Sequence, residues 1–262
     1  MIFEDYAEYY DLLYRDKDYR GEVDFILDRL GRNGIRPGNA ILDFGCGTAR
    51  HASLMTEAGY VMHGVDGSER MITIAERRRA AAPAGAASLT LSVGDMRTAR
   101  LGREFDAVQA LFHVMSYQTT DDDLDNALLT MSLHARPDGF VLFDFWNGDA
   151  VLKDKPAERT KRIETEQVII DRKTRPQWYP EKNLVVVNFT MDVTLKASGK
   201  TGRIEEAHPM RYLFVDEMME RLHRQGLVHV ETGTWLTGKT PTADDWSVYM
   251  IARRPAAHSL SS

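Results

Sequence analysis

The chain has 262 residues, 43% of them apolar and 27% charged, which suits a globular protein with a full core and excludes a disordered one. The formal net charge of −6 argues against a substrate with a long phosphate backbone, so no nucleic-acid partner is expected. A single cysteine, Cys46, excludes an intramolecular disulfide and a cysteine-rich zinc site. No apolar run reaches the length of a membrane helix, and the acidic, aromatic start lacks the order of a signal peptide. The expectation is a cytoplasmic protein that does not contact the membrane.

In chain order, Val23, Ile26, Leu27 and Leu30 recur at helical spacing, and Gly31 and Gly34 close that helix. A regular alternation follows. Strands are predicted at Ala40 to Phe44, Val61 to Val65, Leu89 to Val93, Phe105 to Leu111 and Phe140 to Phe145. Helices with Leu54 and Met55, then Met71, Ile72 and Ala75, then Leu124, Leu128 and Met131, lie between them. An alanine-rich connection spans 80–87, and Pro137-Asp138-Gly139 reads as a turn. Alternating strands and helices imply an α/β, doubly wound, Rossmann-like sheet with helices on both faces. A ligand then belongs beyond the carboxyl ends of the strands, near the switch in strand order.

The texture changes after Asn147. From Leu184 to Lys196 apolar and polar residues alternate strictly, as in a half-solvated antiparallel strand. Gly199 to Gly202 reads as a turn and Arg203 to Phe214 as the partner strand. A helix at Val215 to Leu222 and strands at His229 to Trp235 and Trp246 to Arg253 complete a seven-stranded sheet. The whole chain, 1–262, is thus expected to be a single domain with an inserted antiparallel β flap at 151–212 over the acceptor site. The tail from Pro255 is small and polar.

Chemistry concentrates at Asp43-Phe44-Gly45-Cys46-Gly47, where a strand ends in an acid and two glycines open a helix. Glycines there let the backbone turn tightly and approach a ligand. The third glycine of a nicotinamide-dinucleotide fingerprint is absent, because Arg50 stands in its place. Asp66, twenty-three positions after Asp43, ends the second strand and can accept from two ribose hydroxyls. Gly94-Asp95-Met96 ends the third, with a carboxylate for an exocyclic amine and an apolar side chain for a ring face. Three carboxylates, each just after a strand of one sheet, collect at one edge.

These residues resemble the class I S-adenosylmethionine (SAM)-dependent methyltransferases over about the first 145 residues. The resemblance implies SAM as cofactor and S-adenosylhomocysteine as product. It puts Asp43 near the methionine amino group, Gly45, Cys46 and Gly47 along the amino-acid part, Asp66 on the ribose, and Asp95 with Met96 at adenine. Gly67, Ser68, Met71 and Leu111 complete that set. Tyr6-Ala7-Glu8-Tyr9-Tyr10-Asp11-Leu12-Leu13-Tyr14 and Gly94-Asp95-Met96-Arg97 look like the TDP-aminosugar N,N-dimethyltransferases, and glycine N-methyltransferases share the layout. His113-Val114-Met115-Ser116-Tyr117 and Phe145-Trp146-Asn147, on the acceptor side, depart from that pattern.

A sulfonium needs little activation, so catalysis is chiefly alignment of the acceptor lone pair. His113, after the fourth strand, is the candidate proton acceptor; a hydrogen-bonded core histidine is the alternative. Tyr14 is placed over the sulfonium or methionine part, as catalytic and cofactor residue, or simply packs. Tyr117, Trp146, His208 and Arg211 are the candidate substrate-binding residues. The segment 151–175 carries eight basic against five acidic side chains, a local excess that would suit an anionic acceptor. Asp121-Asp122-Asp123 reads as a helix cap, and no metal site is expected. The reading is a methyltransferase, a transferase acting on a small-molecule acceptor, namely an amine on a nucleotide-linked or other anionic sugar. The alternatives are a small-molecule O-methyltransferase or a SAM-binding protein without turnover. The sequence does not set the oligomeric state; a homodimer is compatible with it.

Overall fold

The computed structural model describes residues 6–81 and 88–256. The alanine-rich connection beyond Ala81 and the end of the polar tail lie outside the described residues. Seven strands form the main sheet: β1 (Ala40–Phe44), β2 (Val61–Asp66), β3 (Leu89–Val93), β4 (Phe105–Ala110), β5 (Ala135–Trp146), β10 (Val228–Thr234) and β11 (Ser247–Arg253), in the order β10-β11-β5-β4-β1-β2-β3. β1, β2, β3, β4 and β5 pair in parallel, and β11 runs against both β5 and β10. This is the expected α/β sheet with a reversed last strand. Strand order reverses between β1 and β4, so both carboxyl ends open onto one crevice.

Each strand sends alternate side chains to opposite faces. Ile41 of β1 packs with Val23, Ile26 and Leu30 of α2 (Tyr19–Arg32) and Ala52 and Met55 of α3 (Arg50–Glu57). Leu42 and Phe44 pack with Leu124, Leu128 and Met131 of α5 (Asp121–His134) and Met218 and Leu222 of α7 (Val215–Arg224). α4 (Glu69–Ala81) contributes Ala75 to the first of these layers. No helix among the described residues is long and apolar enough to cross a membrane.

The antiparallel part has four strands: β6 (Arg159–Glu164), β7 (Val168–Tyr179), β8 (Leu184–Leu195) and β9 (Thr201–Arg211), in that order. β8 reads as its alternation predicts, with Val185, Val187, Met191 and Val193 buried. The first residues of the predicted flap, by contrast, belong to a short helix, α6 (Gly148–Lys153). The flap's inner face packs Ile163, Ile170 and Met191 against Tyr9 and Leu13 of α1 (Tyr6–Leu13). The expected turn at Pro137-Asp138-Gly139 lies inside β5 as a bulge. Phe105 pairs with Ala135 and Ala107 with Phe140, while Asp138 takes a φ of 59°.

The Asp121-Asp122-Asp123 run, expected to cap α5, lies instead in its first turn. Thr120 caps α5 by accepting from the Asp123 N–H, while Asp121 pairs with Arg211 and Arg221. Arg221 is 5% exposed and also holds Asp125 (2.8 Å) and Glu217 (3.0 Å). Arg221→Ala is expected to cost about 1–3 kcal/mol, because the acids it joins lose their charge-assisted bonds. A thermal melt should show a lower Tm with unchanged cofactor affinity, since these contacts lie away from the crevice.

Candidate active site

The crevice at the carboxyl ends of β1 to β5 is a cavity of about 910 Å³. Its floor is the glycine loop. Gly45 and Gly47 have φ of 69° and 55°, where side chains are strained. A Cβ on Gly45 would lie 2.4 Å from Val114 Cγ2, whereas one on Gly47 would meet nothing within 4 Å, so the backbone at Gly47 is bare toward the cavity. The Gly45 and Cys46 N–H groups donate to the Val65 carbonyl (2.7 and 3.1 Å), binding the loop to β2. Asp66 fixes it further, accepting from the Gly47 N–H and the Ser68 N–H, both at 2.8 Å. Burial raises the Asp66 pKa and those two bonds oppose the rise. Ser68 in turn accepts from the Met71 N–H at the start of α4 (3.2 Å).

Asp43 is 2% exposed. Burial pushes its carboxyl up to about 6, against the pull of the His51 charge and a Gln109 hydrogen bond, with Asp66 adding repulsion. Asp95 is the reverse case. The Arg97 guanidinium holds its pKa below the ordinary value and bridges it to Asp123, at 2.8 Å. Met96 is 7% exposed, and its sulfur accepts from Gln118 Nε2 at 3.3 Å. Asp43, Gly45, Cys46, Gly47, Asp66, Gly67, Ser68, Met71, Asp95, Met96 and Leu111 all line the one cavity. Bare glycine backbone beside a row of carboxylates fits a ligand with an amino acid at one end and a ribosyl base at the other.

The roof of this end is α1, which supplies Tyr10, and the turn after it, which supplies Tyr14. Asp11 ties it down. Its carboxylate accepts from Thr48 Oγ1 (2.8 Å), from Arg50 Nε (3.0 Å) and from the Arg78 guanidinium. From the other side Lys161 Nζ donates to the Leu13 carbonyl at 3.0 Å. Tyr14 meets the Phe112 ring edge-on with centroids 5.1 Å apart, and Arg50 lies over Tyr19 at 5.1 Å. Asp11, Arg50, Tyr10 and Tyr19 are site residues that sequence reasoning missed. Their signal was present in Asp11, an acid set among aromatic residues of a short amphipathic helix.

At its other end the cavity is lined by His113, Tyr117, Trp146 and His208, with Phe189 of the flap. Phe112 and His113 both have φ of 64°, a conformation that costs a non-glycine residue energy and marks a site held by its surroundings. The holder is Asp144 of β5, 1% exposed, whose oxygens accept from the His113 N–H at 3.1 and 3.2 Å. His113 Nδ1 lies 2.8 Å from Asp144 Oδ2, in ion-pairing range but out of hydrogen-bond alignment. Asp144 was missed too, although an acid between Phe143 and Phe145 in an apolar strand was visible. Tyr117 Oη is 3.0 Å from His208 Nδ1 across the crevice. Burial raises the Tyr117 pKa and lowers that of His208, so both partners of this bond are held neutral.

Two expectations are corrected. Arg211 does not reach the cavity: its guanidinium is engaged by Asp121 at 2.8 Å and Glu217 at 2.7 Å beside α7. Nor does the basic excess of 151–175 line the crevice. Lys153 pairs with Asp244, Arg162 with Asp171 and Arg175 with Glu158, all as exposed pairs on outer faces. Arg172 differs from these, its guanidinium lying over the Phe189 ring at 5.1 Å from the centroid with Nε and Nη1 buried.

A methyltransferase-domain family model matches residues 41–139. The chain is 37% identical over 148 residues to dTDP-3-amino-3,4,6-trideoxy-alpha-D-glucopyranose N,N-dimethyltransferase of Streptomyces venezuelae, covering 56% of this chain and 59% of that one. It is 32% identical over 142 residues to dTDP-3-amino-3,6-dideoxy-alpha-D-glucopyranose N,N-dimethyltransferase of Streptomyces fradiae, covering 53% and 52%. The alignments thus span little more than half of each relative. Among solved structures, a S-adenosylmethionine-dependent methyltransferase from Clostridium acetobutylicum aligns with a TM-score of 0.79 at 19% identity, covering 96% of this chain and 98% of that one. DesVI of Streptomyces venezuelae aligns at 0.77 and 24%, covering 96% and 99%; at such identities the likeness is one of fold. Residues 41–139 are thus similar to a methyltransferase domain, on a fold shared with solved SAM-dependent methyltransferases. SAM is the cofactor of that class.

Proposed function

We propose that the protein is an enzyme that transfers the methyl group of SAM to the nitrogen of a small amine, carried on a nucleotide-linked or other anionic sugar. The observation that carries this reading is the single cavity whose carboxylate-lined end meets an end lined by His113, Tyr117, Trp146 and His208. The N,N-dimethyltransferase activity of the two aminosugar relatives supports the choice of a sugar amine. SAM supplies a methyl carbon made electrophilic by its sulfonium. In this reading Asp66 accepts from the ribose hydroxyls while its other lone pairs keep the glycine loop in place. Asp43 faces the methionine ammonium, and Asp95 and Met96 meet the adenine. Tyr14 lies over the sulfonium end and excludes water with Tyr10. His113 takes a proton from the acceptor ammonium, so that the nitrogen presents a lone pair. Tyr117, Trp146 and His208 orient the acceptor, and the antiparallel flap at 151–212 closes the cavity over it.

Calorimetry of Asp66→Ala should show SAM binding weakened by about 1–3 kcal/mol, the cost of leaving buried donors without an acceptor. Unchanged affinity would remove Asp66 from the cofactor site. Release of S-adenosylhomocysteine over a panel of aminosugar nucleotides, simple amines, phenols and carboxylic acids tests the acceptor. Turnover confined to the phenols or acids would make the protein an O-methyltransferase. SAM binding without release on any acceptor would make it a binding protein.

A further inference from the structure

We infer that Asp144 is a positioning residue that sets the tautomer of His113, presenting the Nε2 lone pair to the acceptor. This deepens the reading of His113 as the proton acceptor and rests on it. The sequence around Asp144 is Phe143-Asp144-Phe145, in the interior of β5, where both phenylalanines are 0% exposed and the acid itself is 1% exposed. A carboxylate placed there must be hydrogen-bonded or paired, because burying it alone is costly. The partners it finds are the backbone N–H of His113 and, 2.8 Å away, the Nδ1 of the same residue. One carboxylate thus holds one residue by its backbone and faces the ring nitrogen of the same residue.

The grip is strained in an informative way. His113 has a left-handed backbone and so does Phe112 before it, in the segment that leads from β4 into the 3-10 turn Val114–Tyr117. Those conformations carry the ring to the cavity wall, where Trp146 packs at 6.3 Å, edge to face. With Nδ1 turned to the buried carboxylate, Nε2 occupies the opposite edge of the ring, and the side chain remains 21% exposed. An anion beside Nδ1 favours the tautomer that carries its proton there. Nε2 then has a lone pair and can accept an acceptor proton. The misalignment between Nδ1 and the carboxylate is of the kind that tightens when a ligand is in place.

Asn at position 144 distinguishes this role from simple packing. Its carbonyl oxygen can still accept from the His113 N–H, so the backbone grip survives. Its amide N–H₂ faces Nδ1 and can only donate, which forces the proton to Nε2 and turns the lone pair away from the acceptor. Asp144→Asn should therefore lower kcat by about 10²-fold or more while leaving the SAM Kd and the acceptor KM nearly unchanged. The direct readout is ¹⁵N NMR of His113 at neutral pH. Wild type should show a protonated Nδ1 and an imine-like Nε2, and Asp144→Asn the reverse. This spectrum needs no turnover, so it separates the two ideas. A wild-type His113 protonated at Nε2 overturns the role of Asp144 even where an amine is methylated. An Asp144→Asn protein with unchanged tautomer and kcat does the same. A variant that fails to fold leaves the wild-type spectrum to decide. If His113→Asn retains full kcat, the proton-acceptor reading fails and the role of Asp144 fails with it.

Discussion

Replacing His113 by Asn is expected to lower kcat by about 10²–10⁴-fold, the range usual for a lost general base, while the SAM Kd changes little. Asn is the informative replacement because position 113 has a φ of 64°. Asn tolerates that conformation better than Ala, so the Phe112-His113 bend survives and the effect reports on the imidazole. The side chain of His113 lies at the end of the cavity lined by Tyr117, Trp146 and His208, and Asp66 and Gly47 form their contacts without it. Loss of cofactor affinity equal to the loss of kcat would mean that His113 holds the glycine loop and not the acceptor. Single-turnover rates beside isothermal titration separate the two.

Asp43→Asn should move stability and cofactor affinity in opposite directions. In the folded protein the Asp43 carboxyl titrates near 6, raised from 3.8, mainly by burial. A group whose folded pKa is raised adds stability below its unfolded pKa, and that stability disappears as pH rises through the folded value. Between about pH 4 and 6 the ligand-free protein therefore loses up to about 3 kcal/mol from this group, at 1.36 kcal/mol per unit. Above pH 6 the buried anion stands ready for a cation, and an Asn there carries no such cost. At pH 7 the Asn variant should melt higher in the absence of SAM and bind SAM about tenfold to a hundredfold more weakly. Wild-type affinity should improve as pH rises through 6, and the variant's should not. Burial lowers the pKa values of His63, His134 and His208, so they destabilise the protein as they charge in acid. The wild-type-minus-variant difference isolates Asp43 from them. A flat pH dependence of wild-type binding would place the SAM ammonium elsewhere.

The cofactor end was legible because its signals are local. Gly45 and Gly47 act through their own backbone, while Asp43 lies near the end of β1, Asp66 closes β2 and Asp95 follows β3, strands whose apolar residues announce them. β8 was legible because one of its faces is buried, which forces strict alternation. β6 and most of β7 were not, since Arg162 and Arg175 pair with acids on exposed faces and hide the strand pattern behind mixed charge. Arg211 misled for a related reason. Its place at the end of β9 suggests a site, yet Asp121, ninety residues earlier, captures it. Asp11 and Asp144 acquire their meaning only through contacts with Thr48, Arg50 and Arg78, or with His113, that no spacing rule connects. Long-range pairing of this kind fixes the His113 end of the cavity, while short-range turn chemistry fixes the glycine-loop end.

The most direct test of methyl transfer to an amine is mass spectrometry of the protein's reaction with methyl-labelled SAM and an aminosugar nucleotide. The reaction forms a nitrogen–carbon bond as the carbon–sulfur bond breaks, its electron pair staying on sulfur. The account therefore requires one S-adenosylhomocysteine for every labelled methyl group found on the sugar nitrogen. Label found on a hydroxyl or carboxyl oxygen, or no label transferred to any amine while SAM binds, would contradict it.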